Sequence, residues 1–80
     1  MSRMNDHSHS FGRRLTLVRI CMGLDQGTMA WMLGMSLPAL DALERGLMHP
    51  TMDEAGRIAS RLEVPKDWLL GLGQTFPWGG

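Results

Sequence analysis

From Phe11 to Gly71 the apolar residues recur at spacings of three and four, with glycine or proline where each run breaks, the pattern of short amphipathic helices packed on one another. Phe11, Leu15, Val18 and Met22 share one face of a first helix, which Gly23 stops. Asp25 is placed to cap a second helix that buries Met29, Ala30 and Leu33 and ends at Gly34. Ser36 caps a third only two residues later. Pro38 falls in that helix's first turn, where its missing N–H matters least, Leu40 and Leu43 form the buried face, and Gly46 ends it. Pro50 precedes Thr51, with Glu54 three residues on, so a fourth helix opens on a capping box and carries Ala55, Ile58, Ala59 and Leu62 inward. Pro65 opens a short fifth helix with Trp68, Leu69 and Leu70 before Gly71. No stretch alternates as a strand would. The pattern therefore predicts an all-α, compact five-helix bundle over residues 11–72, a flexible tail over 1–10 and an irregular tail over 73–80 whose Phe76 and Trp78 could dock on the domain.

Composition narrows the function. Eighty residues hold one small core, and 44% hydrophobic with 20% charged residues is an ordinary globular balance. Eight Lys and Arg against eight Asp and Glu leave a formal net charge of zero, so no global field draws the chain to nucleic acid or an anionic membrane. Cys21 is the only cysteine, which fits a reducing, cytoplasmic setting, and no apolar run is long enough for a membrane span or a signal peptide. His7 and His9 lack a third ligand nearby, so no metal or cofactor is expected. Neither a nucleophile with its base, nor paired carboxylates, nor a phosphate-cradling loop can be found, which argues against an enzyme.

Two short helices joined at LGMS, the second opened by serine, have the spacing of a helix-turn-helix unit. With GRRLTLVR before it, GLDQGTMAWMLGMS across it, and ALERG and HPTMDEAGRIASRLEVPKDWLLG after it, the stretch from Phe11 to Gly71 resembles the Cro/C1-type helix-turn-helix family, also called XRE-type. The resemblance implies a lambda-repressor-like bundle and a structural ion pair between Arg19 and Glu44. It also implies that Gln26 contacts phosphate or base, that Ala30 permits close helix approach, and that Gly34 and Gly46 are the turn and stop glycines.

The binding surface departs from that family. Where its third helix usually carries base-reading polar residues, this chain has Leu37, Pro38, Ala39, Asp41 and Ala42, none of which donates a hydrogen bond from its side chain to a guanine or adenine. Basic residues common before the following proline are replaced by Leu47, Met48 and His49. From Leu24 to Gly46, three carboxylates (Asp25, Asp41, Glu44) face one guanidinium (Arg45), a net charge of −2, which leaves phosphate neutralisation little to work with. Meanwhile Leu17, Ile20, Trp31 and Met32 fall off the core faces, and six of the eight methionines lie between Met22 and Met52.

Two readings follow. In the first, the DNA-reading face has become a protein-binding face formed by Leu17, Ile20, Trp31, Met32, Leu37 and Met48, with Asp41 adding charge selectivity. Such a protein would regulate transcription as an antiactivator, masking a transcriptional activator, by analogy with quorum-sensing and transfer circuits of mobile elements, with DNA binding weak or absent. In the alternative, the chain is a dimeric repressor that reads operator DNA through Gln26, Thr28, Ser36, Leu37, Ala39 and Arg45. Arg3, Arg13, Arg14, Arg57 and Arg61 read as solvated surface, with an Asp53–Arg57 pair one turn apart.

Overall fold

The computed structural model describes residues 6–72, with side chains from Ser10 onward. Five helices follow in order: α1 (Asp6–Cys21), α2 (Gln26–Leu33), α3 (Leu37–Arg45), α4 (Met52–Leu62) and α5 (Lys66–Leu69), and no strand occurs among the described residues. α1 begins inside the stretch expected to be a tail, because Asp6 to Ser10 contains neither glycine nor proline and nothing interrupts helix ahead of its core face. Phe76 and Trp78 lie outside the described residues, as do the side chains of His7 and His9.

Each cap expected at a helix start forms. The Asp25 carboxylate accepts from the Thr28 N–H at 2.8 Å, and the Ser36 hydroxyl oxygen accepts from the Ala39 N–H at 3.2 Å. At α4 the Thr51 hydroxyl accepts from the Glu54 N–H at 3.0 Å while Glu54 accepts from the Thr51 N–H at 2.9 Å, the reciprocal box. Gly34 ends α2 in the left-handed region, at φ 69°, and this lets the Met35 N–H reach back to the Ala30 carbonyl and turns the chain into Ser36 at once. At the end of α4 the same conformation is taken by Glu63, φ 59°, which carries Val64 back to bond the Ala59 carbonyl.

The core draws on all five helices: Phe11, Leu15 and Val18 meet Met29, Leu33, Leu40, Leu43, Ile58, Leu62 and Trp68, with Val64 added from the loop. Met22 does not join them. α1 ends at Cys21, so Met22 leaves the face that Phe11, Leu15 and Val18 define and is 37% exposed. α1 packs chiefly on α3 and also on α5, α2 on α3 and α4, and α4 on α5. The α1–α3 crossing is close enough to require glycine: a Cβ at Gly12 would stand 2.5 Å from the carbonyl oxygens of both Leu43 and Glu44, and backbone there cannot yield.

Two arginines make contacts beyond the solvated surface expected of them, and a third is solvated as expected but lacks its expected ion pair. The Arg14 guanidinium lies 5.0 Å from the centre of the Trp68 ring, a cation–π contact. Arg61 donates to the Met32 carbonyl at 2.7 Å, tying the end of α2 to α4. Arg57 makes no ion pair with Asp53, because both are exposed and such a pair gains little against water.

Candidate functional site: the outer face of α2 and α3

A chain of charge-assisted bonds runs beneath this face. Arg19, on α1, donates through Nε to Glu44 Oε2 at 2.8 Å and through Nη2 to Oε1 at 3.1 Å, a two-pronged pair between α1 and α3. Its third arm donates to the Leu24 carbonyl at 3.0 Å, which fixes the loop into α2. The Glu44 side chain is 6% exposed, so this pair is a buried strut. The bond to Glu44 raises the Arg19 pKa further above its ordinary value. Arg19 and Glu44 thus meet as the family resemblance implied.

Gln26 stands at the first turn of α2, and its amide points into the molecule. Its Nε2 donates to Glu44 Oε1 at 3.0 Å and to Asp41 Oδ1 at 3.2 Å, so both amide hydrogens are engaged. Asp41 Oδ2 in turn accepts from Arg45 Nε at 2.9 Å, one helical turn further along α3. The Gln26 amide first, and Arg45 second, hold the Asp41 carboxyl below the usual aspartate range. Asp41, expected to add charge selectivity toward a partner, has both oxygens bonded within the chain.

What remains outward on α3 is mainly apolar: Leu37 is 47% exposed and Pro38 is exposed beside it, while Ala39 and Ala42 are half-buried. Arg45 is exposed but paired, Thr28 is exposed, and the Ser36 oxygen is occupied as a cap. On α2, Trp31 is 81% exposed, a large aromatic with almost no cover, and Met32 beside it is half-buried. Leu17 and Ile20 are exposed on α1, Ile20 at 62%, and Met48 is exposed in the loop after α3. These residues come from three helices and one loop. Met52 and Leu72 are further exposed apolar residues that the sequence reading missed. Helical phase gives no signal of the first, since Met52 stands three residues before Ala55 and seven before Ala59; it is exposed at the very start of α4.

An all-α fold in which two short helices meet at a three-residue turn, the second held against α1 by a buried ion pair, is that of a helix-turn-helix domain. A family model described as helix-turn-helix matches residues 18–69, and the chain belongs to this family, of the XRE type. It is a transcription regulator of a class built for DNA binding. No curated protein and no solved structure matches the chain. Among the described residues no helix is long and apolar enough to cross a membrane.

Proposed function

We propose that this regulator works by binding a protein, a transcriptional activator that it masks, rather than by reading an operator. The observation that carries this is the state of Gln26 and its neighbours. On the face where the family meets DNA, both hydrogens of the Gln26 amide are engaged by Asp41 and Glu44, the charge of Arg45 is paired through its Nε with Asp41, and the outward residues of α3 include Leu37 and Pro38. Base edges need donors and acceptors, and phosphates need cations. Exposed Trp31, with Leu17, Ile20, Met32, Leu37 and Met48, supplies the aromatic and flexible apolar groups that anchor protein interfaces.

The family match itself favours a second reading, a dimeric repressor on operator DNA that uses Gln26, Thr28, Ser36, Leu37, Ala39 and Arg45. One experiment separates the two. Fluorescence anisotropy of labelled duplexes from the protein's own promoter region is followed at low salt and again at about 0.2 M, where phosphate-driven binding drops steeply. The protein-binding reading expects no association at either salt. Micromolar or tighter binding with a steep salt dependence establishes the repressor instead.

A further inference from the structure

The network beneath α3 contains two carboxylates with different tasks. Glu44 is buried and takes two of the three bonds of Arg19, and it also takes one hydrogen of the Gln26 amide. Through Arg19 and Gln26 this one carboxylate links α1, α2 and α3. Asp41 is different. It is only half-buried, it touches no buried cation, and its two partners are Gln26 Nε2 at 3.2 Å and Arg45 Nε at 2.9 Å. The Arg45 side chain is 67% exposed, so its pairing with Asp41 is not forced by burial either.

We propose that Asp41 is the positioning residue that closes this face to nucleic acid, by holding one hydrogen of the Gln26 amide and Nε of Arg45 and by setting a negative charge where a phosphate would approach. This rests on the protein-binding reading above. The argument is one of competition. A phosphate that sought the Gln26 amide or Arg45 Nε would have to displace a carboxylate already bonded to both, and one that approached the outer nitrogens of Arg45 would meet that carboxylate's charge at close range. Without Asp41, Gln26 keeps its bond to Glu44 and regains one free N–H, Arg45 regains Nε and an unneutralised charge, and the Arg19–Glu44 bonds have no partner removed. Asp41 then adds a charge-based exclusion of nucleic acid to the apolar residues of α3, which already lack donors for base edges.

The test is a gain of function. Wild type, Asp41→Ala and Asp41→Ala with Arg45→Ala are titrated against a short labelled duplex of arbitrary sequence by anisotropy, at low salt and at about 0.2 M. Thermal unfolding of each is measured alongside. The expected result is a silent wild type and an Asp41→Ala variant that binds at least about tenfold more tightly at low salt, the scale of one charge-assisted bond. Its log–log salt slope should steepen by about 0.9, one phosphate contact, and the added Arg45→Ala should remove both changes. If Asp41→Ala does not fold, Asp41→Asn, which keeps an acceptor for Gln26 but not the charge, carries the same expectation for Arg45. Silence of both the wild type and a folded variant overturns the role of Asp41 and leaves the protein-binding reading standing. A gain that survives Arg45→Ala overturns that role too. A wild type that binds as tightly as the variant overturns both readings together.

Discussion

Single side chains in this protein work as partners of backbone ends, and Asp25 shows it most directly. Its carboxylate accepts from the Thr28 N–H, and that bond holds its pKa below the ordinary aspartate value. The linkage sign follows: a group whose folded pKa is depressed stabilises the fold fully above its unfolded value, about 3.9, and the contribution is lost as the pH falls through the lower folded value. The melting temperature, followed by circular dichroism, should therefore drop as the pH is lowered from about 5 toward 3. Asp25→Asn should flatten part of that slope while it keeps most of the stability near neutral pH, since asparagine caps a helix about as well. An unchanged pH profile in Asp25→Asn would count against the cap as the source. Asp41 adds a second contribution of the same sign, through Gln26 and Arg45. The sequence marks Gln26, Asp41 and Arg45 as site residues, yet it cannot show that they bond one another. Spacing along a chain gives the face of a helix, and the direction of an amide depends on which neighbour reaches it first.

At the scale of elements, the conformation of Glu63 stands out. It closes α4 in the left-handed region, where a side chain is strained by about 1–2 kcal/mol and glycine is not. Glycine loses more freedom on folding, about 0.5–1 kcal/mol, and the exposed Glu63 side chain has little packing to lose. Glu63→Gly should thus stabilise the domain by about 0.5–1 kcal/mol, a rise of about 4 °C in the melting temperature, read by thermal unfolding. A lower melting temperature would mean that Glu63 makes a contribution which its exposure conceals. The helices themselves were legible because their punctuation is chemical: Asp25, Ser36, Thr51 with Glu54, Gly34 and Gly46 each do locally what their type dictates. Glu63 was not, because its turn is set by the burial of Val64 one residue later. Arg61 was missed for a similar reason, since its acceptor is a backbone carbonyl of another helix. Met22 fits the face by number and fails because the helix ends one residue short of it.

For the whole molecule, the partition between core and exposed apolar surface decides how the protein behaves. Trp31, at 81% exposure, contributes little to the fold, so Trp31→Ala should change stability by no more than about 0.5 kcal/mol in chemical denaturation. On the protein-binding proposal, the same substitution should sharply reduce the proposed activator recovered when the tagged protein is used to capture it from native lysate, because an aromatic anchor commonly carries about 2 kcal/mol or more of an interface. A large loss of stability would return Trp31 to the core and remove it from the proposed surface. The fold-level reading of this surface came from counting apolar residues that the helical faces could not absorb, and Trp31, Ile20 and Leu37 are indeed outside. Gly12 gives that surface its mechanical character. Because α1 and α3 touch backbone to backbone there, neither helix has room to roll or slide against the other, and Leu17 and Ile20 keep a fixed offset from Leu37. A molecule that spans both helices meets a template whose spacing is set before contact, so the entropy lost on association is confined to side-chain rotamers and the orientation of the two bodies.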